Sequence, residues 1–264
     1  MSAHLGPPAA LRRLARGVLV LAASAAAILV GWLLFLATVD VSPYVAKSPL
    51  DVWRHLAVAE NRAVLWPLLG RTLADAGLGF VCGLAMAATV ATLFAFSRPL
   101  EQMFLPTLTT LRAIPMVTLA PIIVLALGRG PAATALIGAA IVFVPALLTM
   151  LQGLRSASRT DLDVCRAFGG SAWQTYLKVT LPHAVPTWFT AARITVTTSI
   201  VGALLAEWLA SGAGLGGQMM RDANEFQFAR LWASVVVLTV VCVAIYQLIA
   251  LVERAVRTRL AAPG

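Results

Sequence analysis

The sequence predicts an all-α membrane protein with six transmembrane helices. Composition is the first sign: of 264 residues, 60% are hydrophobic and only 12% are charged. Soluble domains run about 45–50% apolar and about 25% charged, so this chain lacks the polar residues to clothe a water-soluble fold. Length is the second sign. The apolar residues gather in six runs near the roughly 20 residues that cross about 30 Å of hydrocarbon at a 1.5 Å rise. The third is punctuation, since polar or Gly/Pro-rich segments separate the runs. A soluble enzyme, a disordered tail and a disulfide-rich secreted module are excluded.

Residues 1–17 form a basic N-terminal tail. The first span, 18–39, carries only Ser24 and Thr38 as polar interruptions. Arg12, Arg13 and Arg16 precede it, as in a signal peptide. A cleaved apolar region is about 7–15 residues, shorter than this run, so the segment reads as a retained helix. Residues 40–67 hold Asp40, Lys47, Asp51, Arg54, Glu60 and Arg62 and read as an interfacial segment. Within it, Ser48-Pro49-Leu50-Asp51 marks a helix start, with proline at the first helical position and an acid in the first turn.

Residues 68–254 hold the other five spans. The second, 68–96, contains Gly79-x-x-x-Gly83, a small-residue face on which another helix can approach closely. That helix belongs to the same subunit or to a second copy. The third and fourth, 104–127 and 132–151, are joined by Gly128-Arg129-Gly130-Pro131, and read as a membrane hairpin. The fifth is 186–210 and the sixth 229–252, followed by a short tail, 255–264.

The net charge of +9 marks topology. With the N-terminus inside, the inner segments carry Arg12, Arg13, Arg16, Arg98, Arg155, Arg159, Arg166, Lys178, Arg254, Arg257 and Arg259. The outer ones carry Lys47, Arg54, Arg62, Arg129, Arg221 and Arg230. Basic residues favour the cytoplasmic side, so both termini are expected there. Scattered between apolar runs, these charges build no nucleic-acid surface. Cys82, Cys165 and Cys242 share no pair spacing and read as small buried hydrophobes. His4, His55 and His183 are dispersed, so no metal site and no catalytic triad is expected.

The segment between the fourth and fifth spans, 155–182, is long and polar. Thr160 and Asp163 stand at capping-box spacing and open a helix. Gly169-Gly170 ends it, because glycine reaches left-handed backbone angles without a Cβ clash. Ser171, with Gln174 three residues on, caps a second helix that repeats apolar residues at Trp173, Tyr176, Leu177 and Leu181. Leu181-Pro182 stops it. Two short cytoplasmic helices joined by a tight turn are expected.

This segment resembles the EAA loop of permease subunits of ATP-binding-cassette importers. There an E-A-A triplet precedes a glycine by three residues, and I-x-L-P begins after nine more. Asp163-Val164-Cys165, Gly169 and Val179-Thr180-Leu181-Pro182 match that spacing. Val164 and Cys165 stand in place of two alanines. Across residues 45–255, Ser48-Pro49-x-x-Val52-Trp53, Arg112-x-x-Pro115, Pro121-Ile122-x-x-Leu125-x-x-Gly128, Ala206-Glu207-Trp208 and Gly214-Leu215-Gly216 resemble the nitrate/sulfonate/taurine branch. That branch includes relatives that move thiamine or riboflavin precursors.

The resemblance implies a coupling role for Asp163, Val164, Cys165, Gly169, Val179, Leu181 and Pro182: the loop docks in a cleft of a cytoplasmic ATPase and carries its closure to the spans. It also implies an extracytoplasmic solute-binding protein, a second permease copy (a homodimer first) and alternating access in the plasma membrane among lipid. A small anion is the first-choice solute. ATP and magnesium belong to the partner, because neither Lys47 nor Lys178 sits in the glycine-rich loop that holds phosphates. No cofactor and no catalytic residue are expected in this chain.

Charged groups inside spans face protein or water. Arg71 and Asp75, four apart, are expected to pair. Arg193 is expected to snorkel to the inner surface. Arg112 and Pro115 in the third span, and Glu207 with Trp208 near the outer end of the fifth, are candidates for pathway or gate. Gly214-Leu215-Gly216-Gly217 reads as a flexible outer turn. The rivals from other classes are an ion-coupled secondary transporter and a membrane scaffold. Mid-span acids, which the former needs, are nearly absent.

Overall fold

A computed structural model describes residues 7–39, 42–111 and 113–260. Among them the chain is helical, with no strand. The helices are α1 (Pro7–Thr38), α2 (Pro49–Ala57), α3 (Ala59–Phe96), α4 (Arg98–Leu111), α5 (Met116–Leu127), α6 (Pro131–Leu154), α7 (Arg159–Ala167), α8 (Ala172–Thr175), α9 (Leu181–Ala206), α10 (Gly214–Asn224) and α11 (Phe228–Leu260). Five-residue π-helical turns, Tyr176–Thr180 and Glu207–Ser211, flank α9.

Among the described residues four helices are long and apolar enough to span a membrane: α3, α6, the run Ala172–Leu209, and the Phe228–Val256 part of α11. A fifth is the pair α4 and α5, if taken as one span. These two are bent by 100°, so the expected third span, 104–127, is made of two helices joined at a break. The break falls where Pro115 caps α5 in extended geometry, and proline pushes the residue before it out of helical angles. The first expected span, 18–39, lies within α1 except for Val39, and the apolar stretch of that helix is Ala22–Thr38.

Other boundaries also moved. The second span begins nine residues early, at Ala59, since residues 59–67, with Glu60, Asn61 and Arg62 at their start, continue the same helix. Pro67 is tolerated inside it. The expected flexible turn at Gly214–Gly217 is the first turn of α10. None of the three cysteines is buried: Cys82 is exposed, Cys165 and Cys242 are half-buried.

The structure divides into two units. The first comprises Met1–Arg62 and Asp222–Ala233. In it the Trp32 and Trp232 rings stack at 5.3 Å, and the Trp232 indole donates to the Val45 carbonyl at 2.9 Å. Buried Asp222 pairs with Arg230 at 2.5 Å. Helix α2 starts as its sequence demands: the Asp51 amide donates to Ser48 Oγ at 3.2 Å, and the Ser48 amide donates back to Asp51 Oδ2 at 3.0 Å. The Ser48 hydroxyl also donates to that carboxylate, and these bonds hold the Asp51 pKa below its usual value. Burial depresses the His55 pKa, and the nearby Arg230 charge lowers it further.

The second unit comprises Ala63–Arg221 and Ser234–Gly264, and α6 is its centre. Ile137, Val142, Ala146 and Leu147 of α6 are fully enclosed, as are Ala87 and Ala91 of α3 and Ala184 and Ala191 of α9. Three glycines let the backbones meet. A Cβ on Gly79 would stand 2.9 Å from the Gly138 Cα, and one on Gly202 would stand 3.1 Å from the same atom. Gly83 faces Val142 at a similar crossing. The Gly79/Gly83 face is thus occupied by α6 of the same chain. Arg193 does not snorkel. Its Nε lies 3.2 Å from Glu253 Oε2 of α11, while Thr190 donates to Glu253 Oε1 at 2.9 Å.

Candidate functional site

The 155–182 segment is built from local chemistry at three points. Helix α7 ends in a Schellman motif: the Gly170 amide donates to the Cys165 carbonyl and the Gly169 amide to the Arg166 carbonyl, both at 2.9 Å. Gly169 takes φ +79°, the left-handed region open to glycine. Gly170 follows in close contact with Cys165, where an added Cβ would stand 2.7 Å from Sγ. Ser171 and Gln174 then form the expected reciprocal capping box, at 3.2 and 2.9 Å.

Two expectations for this segment fail. The cap of α7 is Ser158, with no side-chain cap bond, and Thr160 lies inside the helix. Pro182 stops nothing: the backbone runs from α8 through the π-turn into α9. The Leu181 amide reaches back five residues to the Tyr176 carbonyl, and this wider turn admits a proline that has no N–H of its own. The expected second cytoplasmic helix is therefore the near end of a 38-residue helix, Ala172–Leu209. At a 1.5 Å rise such a helix is about 57 Å long, well beyond the hydrocarbon thickness.

Aromatic packing holds this end in place. The Phe96, Trp173 and Tyr176 rings lie within 5.1–5.7 Å of one another, and buried Tyr176 shares a 2.8 Å hydrogen bond with Thr92 of α3. Glu101 of α4 pairs with Arg155 at the end of α6. His183 of α9 sits 3.5 Å from Asp161 of α7.

On this footing α7 exposes Asp163, Val164 and Gly169, while Cys165, Val179, Leu181 and Pro182 are half-buried. The cluster expected from sequence thus splits: an exposed tip on α7 and a packed strip at the start of the long helix. Phe168 is the residue that sequence reading missed. It precedes Gly169 and is 89% exposed. A large apolar residue at the turn of a polar loop was its signal.

At the other end of α9 the structure gathers a second group. Glu207 is fully buried and both its oxygens accept: Oε1 from the Thr72 hydroxyl at 2.6 Å, Oε2 from the Gly216 amide at 2.7 Å. Thr72, also fully buried, accepts from the Leu215 amide at 2.8 Å. Gly214 packs directly on the carboxylate. Glu207 and Thr72 thereby satisfy amide donors in the first turn of α10 that have no helical acceptor. Trp208 is exposed beside them. Thr72 and Leu215 were not foreseen. Pro115 lies apart, at the α4–α5 break, and Arg112 falls outside the described residues. The expected Arg71–Asp75 pair is not among the ion pairs of the described residues. No group of three or more His, Cys, Asp or Glu able to hold a metal occurs among them either.

Residues 79–258 match the family described as "Binding-protein-dependent transport system inner membrane component". The chain belongs to this family. Relatives agree. It is 31% identical over 203 residues to a "Probable ABC transporter permease protein" of Haemophilus influenzae, covering 77% of this chain and 82% of that one. It is 28% identical to the riboflavin transport system permease protein RibX of Chloroflexus aurantiacus, covering 80% and 79%. It is also 28% identical to a permease named for aliphatic sulfonates transport, SsuC of Bacillus subtilis, covering 77% and 69%. In fold it resembles an inward-facing MetNI methionine ABC transporter chain, with TM-score 0.65 and 21% identity over 75% of this chain and 99% of that one. The protein is an ABC importer permease, a multi-pass component of the plasma membrane.

Proposed function

We propose that this permease forms the solute pathway of a homodimeric importer, with ATP and magnesium bound and hydrolysed on a separate cytoplasmic subunit. The ATPase docks on the tip of α7, around Asp163, Val164 and Phe168. An extracytoplasmic binding protein delivers the solute at the opposite face, and both termini lie in the cytoplasm. The observation that carries the reading is a half-exposed Val164 and an almost fully exposed Phe168 on a helix end fixed by Gly169. A soluble loop gains nothing by presenting such a surface, whereas a partner's cleft covers it. Val179, Leu181 and Pro182 sit at the start of the long helix that transmits the motion.

The solute is a small organic molecule. The resemblance in sequence favours a sulfonate-like anion, and SsuC supports that choice. RibX favours instead a flavin or a related heterocycle. Glu207 stabilises the outer end of the pathway by holding α10, with Arg112, Pro115 and Trp208 as its candidate lining.

Reconstitution with the cognate ATPase and binding protein tests the reading. Phe168→Ala and Gly169→Val are expected to cut ATPase copurification and ATP-dependent uptake at least tenfold, with the permease still inserted. ATPase retention and uptake at wild-type levels in both variants would overturn the docking assignment. Uptake that follows an ion gradient and ignores ATP would overturn the whole reading.

A further inference from the structure

Beside the exposed face of α7 lies a cavity of about 770 Å³, walled by the ends of α3, α4, α6, α7 and α8. Its charged lining is Arg98, Arg155, Arg159 and Arg166 against Glu101 alone, a balance of four minus one. Its floor is apolar and includes Phe94, Leu151 and Leu154, all buried. Arg155 is held by Glu101, and Arg166 lies 3.5 Å from Asp163. Arg98 and Arg159 have no ion pair among the described residues.

The cavity face and the exposed tip of α7 are different. Arg159, Leu162 and Arg166, three and four residues apart, line the cavity. Val164 and Phe168, also four apart, point elsewhere, at high exposure. Neither helix periodicity nor partner docking at the tip explains why four arginines, two of them without an ion pair, line the rim of one apolar-floored cavity. Like charges gathered in a concave site repel unless an anion joins them. Guanidinium forks match phosphate oxygens in pairs. The volume lies in the range of a small-molecule pocket and exceeds what one inorganic anion fills, while the floor accepts a hydrocarbon portion.

We propose that this cavity binds a phosphate ester whose apolar part rests on Phe94, Leu151 and Leu154 and whose phosphate is held by Arg98 and Arg159. Arg155 and Arg166 complete the positive rim. A bound ester ties α7 to α4 and α6, so its occupancy sets how firmly the loop is held to the membrane core. The site's existence rests on the cavity and its charges, and is independent of which partner docks on Phe168. Two sources share this chemistry: an anionic lipid headgroup and a soluble phosphate ester.

The test uses the full-length permease in nanodiscs. One set contains phosphatidylglycerol and phosphatidylcholine in a 1:4 ratio. The other contains phosphatidylcholine alone, titrated with glycerol 3-phosphate against sodium chloride of equal ionic strength. Native mass spectrometry reads retained phosphatidylglycerol, and a thermal shift reads the soluble ester. Arg98→Gln with Arg159→Gln removes two charge-assisted contacts and is expected to weaken binding at least tenfold. Arg54→Gln with Arg129→Gln removes the same charge elsewhere and is expected to change it less than twofold. Should the first variant fail to accumulate, Arg98→Lys with Arg159→Lys keeps the charge, loses the forks, and is expected to weaken binding about threefold. Arginine-dependent retention of phosphatidylglycerol supports a lipid, and an arginine-dependent shift with glycerol 3-phosphate alone supports a soluble ester. No dependence on Arg98 and Arg159 in either arm, or an equal loss in the Arg54/Arg129 variant, overturns the proposal.

Discussion

Replacing Thr72 by valine removes one hydroxyl and almost no volume, and it isolates the buried polar knot where α9 meets α10. Across the bundle the hydroxyl has two partners, besides a longer 3.3 Å contact to the Leu68 carbonyl of its own helix. It donates to Glu207 Oε1 at 2.6 Å and accepts from the Leu215 amide at 2.8 Å, with Thr72, Glu207 and Leu215 all shut off from solvent. Valine leaves a buried amide with no acceptor, costing about 1–3 kcal/mol, and strips a carboxylate of a donor bond, costing about 1.5–3 kcal/mol. The two losses share one site and partly relax together, so about 3 kcal/mol is expected. For a chain of this size, each kcal/mol moves the melting temperature by about 2–4 °C, giving a fall of about 6–12 °C. The assay is thermal unfolding of the detergent-solubilised permease, read by tryptophan fluorescence at one fixed scan rate because unfolding of such proteins is often irreversible. Thr72→Ser keeps the hydroxyl and serves as control, with an expected fall of no more than about 4 °C. If Thr72→Val melts within about 2 °C of the wild type, the knot does not hold α10.

Three further outcomes follow from the same structure. Gly79→Val drives a branched side chain into the Gly138 backbone, where a Cβ already stands at 2.9 Å. It should cost about 1–3 kcal/mol or more by overpacking and lower the folded yield, whereas Gly77→Ala, with nothing within 4 Å, should be neutral or mildly stabilising. Glu253→Ala leaves Arg193 without its carboxylate in a largely enclosed site. A loss of about 2–4 kcal/mol is expected, with Glu253→Gln milder because the Thr190 bond survives. Asp51 titrates below its usual value because of the Ser48 bonds, so its support of α2 is complete above the unfolded pKa near 4. That support is lost as pH falls through the lower folded value. Hydrogen exchange at the α2 amides should therefore be flat from pH 7 to 5 once corrected for intrinsic rates, and lose protection below pH 4; Asp51→Asn should abolish that acid-dependent step.

The features legible in sequence were those set by neighbours three or four residues apart. Ser48 with Asp51, Ser171 with Gln174, and the left-handed Gly169 all place a short polar group or a missing Cβ within one helical turn of the backbone it serves. The Thr160–Asp163 box failed at the same range, since Ser158 capped the helix two residues earlier and left Thr160 inside. Phe168 is the instructive omission at the candidate site. Apolar periodicity looks for residues that repeat on a face, and a single exposed aromatic at a turn breaks no pattern.

The sequence by itself determined the solvent in which this chain folds, the approximate placement of its apolar helices, and the spacing of its loop from Asp163 to Pro182. Those follow from composition and from chemistry within a turn or two. Tertiary structure alone decided that Pro182 continues a helix, because burial of Tyr176 against Thr92 and Phe96 favours the π-turn that accommodates it. It decided that Gly214–Gly217 begins a helix, because Thr72, 135 residues before Glu207, helps supply the acceptors its first turn lacks. It decided also that Arg193 stays inside, because Glu253 arrives from another helix. Each of these depends on a polar group finding its partner across the bundle. In a membrane interior, where water cannot stand in, that partner settles which of several locally reasonable structures forms.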